Sequence, residues 1–181
     1  MQKKKDLRVI KTERAIYNAL IELLKKKELE KITISELAEK AEINKATFYL
    51  HYSDIYSLYQ DALAKHITEM IMELDLLNYM FSDPEEFARR LVLDFFSHEK
   101  MSMDPFFHDR NFKYNRTLSF HICNAFMEQA VSLNLLPDTR ENRLKLEFFF
   151  TGIAFLRHEH PAEENELIIQ VIAGAIEEIF R

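Results

Sequence analysis

A short segment near the N-terminus carries side chains that can contact a nucleic acid duplex. Within residues 45–51, hydrogen-bonding and cationic side chains recur at every second position, at Lys45, Thr47, Tyr49 and His51. Lysine and histidine suit phosphate or guanine, threonine and tyrosine suit phosphate, and Ala46 or Leu50 can touch a thymine methyl group. If the segment is a helix of two turns, its outer face therefore fits the major groove of DNA.

Helices on either side must position this segment. A first helix is predicted at about residues 7–27, because apolar residues there follow the i, i+3, i+4, i+7, i+8 rule. The residues of this stripe are Ile16, Ala19, Leu20, Leu23 and Leu24. A second helix is predicted at about residues 34–41, behind a capping box formed by Thr33 and Glu36.

A third, short helix is predicted from Lys45 to Tyr52, with Asn44 as its N-cap. Only Glu42-Ile43-Asn44 separates it from the second helix, which matches the geometry of a helix-turn-helix near residues 33–52. Phe48 is expected to pack the third helix against the first. Two interpretations of this unit remain open: a DNA-binding head, or a three-helix packing unit with an ordinary polar surface.

The rest of the chain also predicts helices, so the expected fold class is all-α. Two glycines and four prolines are too few turn-forming residues for a many-stranded β protein. Asp54 is predicted to cap a long helix that reaches about residue 74, and Asp83-Pro84 marks another helix start. Further helices are predicted near residues 85–101, 105–112, 115–135, 138–158 and 163–180. Asp138 is the expected cap of the fourth of these.

Charge is divided unequally along the chain. Residues 1–53 hold 12 Lys/Arg and 8 Asp/Glu, whereas residues 54–181 hold 12 and 22. A basic head on an acidic body lets the head approach a polyanion while the body stays away from it. The same basic segment is equally compatible with solvated surface. Lys3 to Lys5 are expected to form a disordered tail, with a DNA-contacting arm as the alternative.

Composition favours a reducing compartment. The single cysteine, Cys123, cannot form an internal disulfide and is expected to be a small buried apolar side chain. The N-terminal residues have no apolar run behind them, and no apolar stretch approaches the ~20 residues that a membrane helix needs. We therefore expect a soluble cytoplasmic protein.

Residues 33–54 read TISELAEKAEINKATFYLHYSD, and this segment resembles the DNA-binding segment of the tetracycline-repressor (TetR) family. The similarity extends over residues 8–64, and its most specific part is KATFYLHY at residues 45–52, followed at once by a capped fourth helix. The remaining residues match the family only in helical architecture. The resemblance implies a homodimer whose two third helices enter successive major grooves of a near-palindromic operator.

The resemblance also assigns residues to DNA contact by position. It implies that the third helix contacts DNA and that the start of the second helix touches phosphate, where backbone N–H groups and the helix dipole favour anions. The predicted DNA-binding residues are Thr33, Ser35, Asn44, Lys45, Ala46, Thr47, Tyr49, Leu50 and His51.

Three positions depart from the family pattern. Glu42 stands where glycine commonly serves the turn between the two helices, so a left-handed backbone there would cost roughly 1 kcal/mol. Ala46 replaces a frequent glycine and is expected to stiffen the third helix. Ile55 stands where the family often has a phosphate-binding lysine, and Asp54 beside it repels phosphate. Nonspecific affinity for DNA is therefore expected to be modest.

The predicted domains are a helix-turn-helix DNA-binding domain at residues 1–53 and a helical effector-binding and dimerisation domain at residues 54–181. Both glycines, Gly152 and Gly174, fall inside predicted helices, where each costs up to ~1 kcal/mol. We expect the last two helices to pair with their symmetry mates in a four-helix bundle, as the resemblance also implies; burial inside one subunit is the alternative. The predicted interface residues are Phe148, Gly152, Phe155, Ile168, Val171, Ile172, Ala175 and Ile179.

Fourteen of the fifteen phenylalanines lie beyond residue 53, and many fall in the region that the family uses for its ligand pocket. Ordinary core is the simpler interpretation for any one of them, but as a set they suit an apolar, aromatic or lipid-like effector. The predicted pocket residues are Phe95, His98, Phe107, Phe120, His121, Asn124 and Met127. His158 and His160 lie two residues apart without an accompanying metal motif, so neither a metal nor another cofactor is predicted.

The sequence therefore predicts a sequence-specific DNA-binding transcriptional regulator, acting as a ligand-responsive repressor. A transcriptional activator, or an adaptor of the same fold that acts through a protein partner, remains open. An enzyme is not expected, because a glycine-rich phosphate loop, a nucleophile motif and a metal-binding set are missing from the sequence.

Overall fold

A computed structural model describes residues 7–97, 102–107 and 116–180 of the 181-residue chain, with the backbone alone described at residues 116 and 117. All regular secondary structure in these ranges is helical, so the predicted all-α fold class is confirmed. The helices are α1 (Leu7–Leu24), α2 (Ile34–Lys40), α3 (Lys45–His51), α4 (Ile55–Glu73), α5 (Leu76–Ser82), α6 (Pro84–Arg90), α7 (Arg116–Ser132), α8 (Arg140–Glu159) and α9 (Asn165–Phe180). Short turns of 3₁₀ helix occupy Leu29–Lys31 and Ala162–Glu164.

Side-chain caps fix where several of these helices begin. In each case an oxygen of the cap accepts a hydrogen bond from the backbone N–H three residues later, which satisfies an otherwise unpaired donor. The bonds are Glu36 to Thr33 at 3.3 Å, Thr47 to Asn44 at 2.7 Å, Ser57 to Asp54 at 2.7 Å and Glu86 to Asp83 at 3.1 Å. All four caps are confirmed predictions.

The Glu36 carboxylate of the predicted capping box is held at the start of α2 by the Lys27 ammonium. A hydrogen bond from Lys27 lowers the pKa of the Glu36 carboxylate, and the backbone N–H of Thr33 lowers it further. The bond from the Glu36 N–H to the Thr33 hydroxyl is the N-cap half of the capping box. This arrangement fixes the first turn of α2, which begins three residues after the last residue of the 3₁₀ turn.

The described residues divide into two compact units. The first contains residues 7–63 and 104–107, and the second contains residues 64–97, 102–103 and 116–180. The division falls inside α4, whereas the predicted DNA-binding domain ended at residue 53. The reason is that the first turns of α4 supply core to the helices before it: Leu58, Ala62 and Leu63 are almost completely buried.

The core of the first unit is built from the apolar stripe of α1 and from inward residues of α2, α3 and α4. Its completely or almost completely buried side chains are Ile16, Leu20, Leu37, Phe48, Leu58 and Leu63. Residues 104–107 add an aromatic anchor, because Phe106 packs against Tyr17 and Tyr59 at ring-centroid distances of 6.4 and 5.7 Å. The Tyr59 hydroxyl also donates a hydrogen bond to the Phe106 carbonyl at 2.9 Å.

The helix predicted at residues 105–112 is wrong for its described part, because residues 105–107 form a turn; residues 108–112 lie outside the described ranges. Asp104 explains the turn. Its carboxylate accepts a hydrogen bond from the Phe106 N–H at 2.9 Å, and its carbonyl accepts one from the Phe107 N–H at 3.0 Å. Aspartate before proline stabilises such a turn in preference to a helix.

In the second unit α6 packs against α5 and α9, and α7 packs against α8. Phenylalanines make the contacts between these helices. Phe87 of α6 lies 6.2 Å from both Phe126 and Phe149, measured between ring centroids, and Phe126 lies 4.6 Å from Phe150. The guanidinium of Arg89 joins α6 to Glu166 of α9 at 3.0 Å.

The predicted helix at residues 85–101 is shorter and less regular than expected. It begins at Pro84, passes after Arg90 into a π-helical turn at Leu91–Phe95, and ends there. The N–H of Phe96 donates to the carbonyl of Leu91 at 2.8 Å, five residues back. Residues 98–101 of this prediction lie outside the described ranges.

The structure corrects two further details. Asp75 adopts a left-handed conformation with φ 50°, which ends α4 and separates it from the unpredicted α5. Thr139 caps α8 in place of Asp138, because its hydroxyl accepts the N–H of Asn142 at 3.1 Å. The Asp138 carboxylate pairs with the Arg143 guanidinium instead, at 2.6 Å.

Among the described residues, none of the helices combines the length and the apolar character needed to cross a membrane.

Candidate nucleic-acid interface

The turn between α2 and α3 closes with a left-handed residue. Glu42 has φ 55°, its N–H donates to Glu39 at 3.1 Å, and the N–H of Ile43 donates to Ala38 at 2.9 Å. This pair of hydrogen bonds is the Schellman motif, whose left-handed position is usually glycine. The strain expected at Glu42 is therefore present, and the sequence retains a side chain where glycine would cost less.

The inner face of α3 is anchored at Phe48, which has no exposed surface. Tyr52 extends this anchor at the end of the helix, where its hydroxyl donates to the Asp61 carboxylate of α4 at 2.9 Å. Burial, and then the neighbouring Asp61 carboxylate, raise the pKa of Tyr52, so the hydroxyl keeps its proton in this bond. Core packing at Phe48 and the bond at Tyr52 together hold α3 in one orientation.

The outer face of α3 is open to solvent. Leu50 is 84% exposed and Tyr49 is 56% exposed, and Lys45 and Ala46 are exposed as well. Within the described part of the chain, the Lys45 ammonium makes no ion pair. The face therefore offers one cation, one phenol and two apolar side chains in adjacent positions.

Two predicted DNA-contact residues are less exposed than the sequence indicated, and each lies beside a polar partner within the protein. Thr47 is half-buried, and its hydroxyl donates to the Asn44 amide oxygen at 3.0 Å. His51 departs from the outer face on which it was predicted. Its side chain is only 12% exposed and its Nδ1 lies 3.6 Å from the Glu13 carboxylate of α1.

Thr33 and Ser35 lie exposed at the start of α2, where the predicted phosphate contacts would fall. Lysines near them are engaged with carboxylates: the Lys27 ammonium bonds Glu36 at 2.5 Å, and the Lys31 ammonium bonds Glu28 at 2.9 Å. The Lys31–Glu28 pair is exposed, and pairs of this kind are weak and open readily to other anions.

Ile55 is buried, with 8% of its surface exposed. The position at which the resembling family often has a phosphate-binding lysine thus belongs to the core of the first unit in this chain. The exposed residue beside it is Tyr56, at 54%. The expected loss of one backbone anchor agrees with this placement.

The predicted pocket residues have mixed environments. In the second unit Phe95 and Met127 are buried, His121 and Asn124 are half-buried, and Phe120 is 59% exposed. Desolvation lowers the pKa of His121, and the Asn124 amide oxygen accepts a hydrogen bond from Arg143 at 3.2 Å. Phe107 belongs to the first unit, and His98 lies outside the described residues. The pocket stays a prediction.

The predicted dimer residues separate into two groups. Phe148, Gly152, Phe155 and Val171 are exposed, and Ala175 and Ile179 are half-buried. The assignment of Ile168 and Ile172 needs correction, because the subunit itself buries them to 4% and 2% exposure. Sequence reasoning omitted Leu144 and Leu167 from the interface, although their side chains are 47% and 59% exposed.

Across residues 7–97, 102–107 and 116–180, His, Cys, Asp and Glu side chains do not gather in any group of three able to hold an ion.

Sequence comparison links the N-terminal segment to regulators of transcription. Residues 16–62 match the family described as "Bacterial regulatory proteins, tetR family". The "Uncharacterized HTH-type transcriptional regulator YxbF" of Bacillus subtilis (strain 168) is 34% identical over 88 residues. These residues are 48% of this chain and 22% of that protein, so the chain spans only about a fifth of the length of this relative.

Solved structures share the helical arrangement over almost the whole chain. The TetR family repressor AlkX from Dietzia sp. strain DQ12-45-1b gives a TM-score of 0.67 at 14% identity, covering 93% of this chain and 97% of that one. A TetR transcriptional regulator from Rhodococcus sp. RHA1 gives 0.59 at 14% identity, covering 94% and 97%. At these identities the likeness concerns the fold.

Proposed function

We propose that the chain, whose residues 16–62 match the tetR family of bacterial regulatory proteins, is a homodimeric transcriptional repressor that binds a near-palindromic DNA operator. The observation that carries the proposal is the geometry of α3. A two-turn helix is fixed from behind by Phe48 and Tyr52 while Lys45, Tyr49 and Leu50 remain exposed. A helix held in this way has the size and the chemistry to enter the major groove of B-DNA.

Contacts with the duplex fall into two classes. Lys45 and Tyr49 are placed to donate hydrogen bonds to phosphate or to base edges from one flank of α3. Thr33 and Ser35 contact phosphate from the start of α2, where the backbone N–H groups favour an anion. The phosphate contacts orient α3, and its own side chains then distinguish one base sequence from another.

Dimerisation is proposed through α8 and α9. On α8 the exposed positions Phe148, Gly152 and Phe155 follow helical spacing, and on α9 Leu167 and Val171 do the same. Phe148 is 74% exposed, which is unusual for so large an apolar side chain. A second copy that covers this face would bury it and supply the two-fold axis that a palindromic operator requires.

The two glycines support close contact at this surface. A Cβ atom added at Gly152 or Gly174 would meet nothing within 4 Å in the subunit. The absence of side chains is therefore not required by packing within one copy of the chain. Glycine in a helix costs up to ~1 kcal/mol, and near approach of a partner helix is a physical reason for tolerating that cost.

An effector is proposed for the second unit, with an apolar or aromatic character. The prediction rests on the phenylalanine-rich composition beyond residue 53 and on half-buried His121 and Asn124, which offer polar groups beside apolar neighbours. An effector would act by preferring the conformation that does not bind DNA, and a coupling of about 1–3 kcal/mol is sufficient. Thermal unfolding with panels of aromatic and fatty acids tests it through a ligand-dependent rise in melting temperature.

The DNA-binding proposal is tested by selecting duplexes from a random-sequence library with the purified full chain at low salt. The expected result is an enriched, near-palindromic sequence whose affinity falls steeply as salt rises, because bound phosphates release counterions. A Lys45→Ala, Tyr49→Ala double variant is expected to bind the selected duplex at least tenfold more weakly, since about 1–3 kcal/mol accompanies each well-placed contact.

Lys65→Ala serves as the matched control, because that lysine is exposed on α4 in the second unit, outside the α8 and α9 surface proposed for dimerisation. It is expected to leave the affinity unchanged. Failure to enrich any duplex, or affinity that is indifferent to salt, contradicts DNA binding. Full affinity in the double variant contradicts the assignment of α3 as the contact surface.

A further inference from the structure

The part of the α3 surface that points directly away from the core is apolar. Successive residues of an α-helix are separated by about 100°, so the direction opposite Phe48 passes between Ala46 and Leu50, about 20° from each. The exposed fractions agree with this geometry, because Phe48 is 0% and Leu50 is 84% exposed. Leu50 carries the longer of the two outward side chains and projects farthest from the core.

Side chains that can form hydrogen bonds stand to either side of this direction. Tyr49 and Thr47 are each about 80° away from it, and Lys45 and His51 are about 120° away. Thr47 already bonds Asn44 at 3.0 Å, and His51 is turned toward Glu13. The side chains of α3 that form hydrogen bonds are therefore closer to the phosphates at the sides of the groove than to the base edges at its centre.

An alkyl side chain can recognise one feature of the major groove. The C5-methyl group of thymine is the only apolar group that the four base pairs present there. Other edge groups are donors and acceptors, and a leucine pressed against them would remove their water without replacing its hydrogen bonds. A side chain such as Leu50 thus favours thymine by attraction and disfavours cytosine by desolvation.

We propose that Leu50, with Ala46 beside it, recognises the C5-methyl group of a thymine in each operator half-site. The inference rests on the proposed function and adds the specificity-determining residue and its chemical target. Tyr49 and Lys45 then bond phosphate or neighbouring bases from the flank. The central base pair under α3 is a T·A pair.

The test uses the duplex that the full chain selects from a random library, with each thymine replaced singly by deoxyuridine, which lacks only the methyl group. For the wild-type protein, one position per half-site is expected to weaken binding about fourfold, the effect of one buried methyl group. Replacing both symmetric positions is expected to weaken binding about fifteenfold. Because this comparison changes only the DNA and uses the wild-type protein, a folding defect cannot affect it.

Leu50→Ala is expected to bind the thymine and deoxyuridine duplexes equally, since the methyl group no longer has a partner. Leu133→Ala, at a 58% exposed leucine of the second unit, is the matched control and keeps the wild-type sensitivity. Circular dichroism and melting temperature verify that both variants fold.

The outcomes are distinguishable. If the wild type selects no duplex, the proposed function fails and this inference with it. If a duplex is selected but deoxyuridine has no effect at any position, or Leu50→Ala retains the effect, only the recognition of thymine by Leu50 is overturned.

Discussion

Asn44 and Thr47 are joined twice at the start of α3. The Asn44 amide oxygen accepts a hydrogen bond from the Thr47 backbone N–H at 2.7 Å and another from the Thr47 hydroxyl at 3.0 Å. The first bond caps the helix, and the second fixes the rotamer of a side chain on its flank. One residue outside the helix thus controls both where α3 begins and how Thr47 is presented.

Replacing this cap tests its contribution to stability. Asn44→Ala is expected to lower the free energy of unfolding by about 1 kcal/mol, because the Thr47 N–H loses its partner. Asn44→Ser, which keeps an oxygen in reach, is expected to recover most of the loss. Urea denaturation of the full chain measures both. Equal stability of all three proteins would show that solvent satisfies the N–H as well as Asn44 does.

Glu42 offers a stabilising substitution. Glu42→Gly is expected to raise the free energy of unfolding by up to about 1 kcal/mol, because φ 55° strains a residue with a Cβ and does not strain glycine. Glu39→Gly, inside the regular part of α2, is the matched control and is expected to destabilise by a similar amount. A loss of stability in both variants would mean that glycine's entropy in the unfolded chain outweighs the relieved strain.

The exposed face of α8 predicts the effect of a buried charge on assembly. Phe148→Glu is expected to convert the proposed dimer to monomers, because a carboxylate enclosed in an apolar interface loses its hydration. Sedimentation equilibrium measures the change. Leu7→Glu introduces the same charge at a 73% exposed position of the first unit and is expected to leave assembly intact. A dimer that survives Phe148→Glu contradicts the proposed interface.

Cys123 is expected to react slowly as a thiol. Burial, with the Glu147 carboxylate adding to it, raises the pKa of this thiol to about 12. Only about one molecule in ten thousand carries the reactive thiolate at pH 8, and the reaction rate therefore climbs with pH across the alkaline range. A disulfide reagent such as DTNB is expected to modify the folded protein slowly and the guanidinium-unfolded protein at once. Rapid modification of the folded chain would contradict the buried position.

Local rules were sufficient for the helix-turn-helix. The caps at Thr33 and Asn44, the inward position of Phe48 and the strain at Glu42 all depend on residues within a few positions of one another. Such interactions can be recognised in a sequence because their geometry is set by the chain itself. Most of the exposed α3 surface was predicted for the same reason.

Tertiary neighbours decided what the sequence left open. The spacing of His51 in α3 predicts an outward side chain, but the side chain is mostly buried and lies beside the Glu13 carboxylate of α1. Ile168 and Val171 are both apolar residues of α9, and the packing of α6 and other neighbouring elements against that helix determines which of the two is buried. Nothing in the local pattern distinguished Thr139 from Asp138 as a cap, or marked the left-handed Asp75 between α4 and α5.

The burial of Ile55 also bears on how the protein would search a chromosome. With a core residue at that position, the proposed repressor would displace fewer counterions from arbitrary DNA than a relative with a lysine there, so each nonspecific encounter would be shorter. A larger share of the molecules would then be free in solution between visits to the operator.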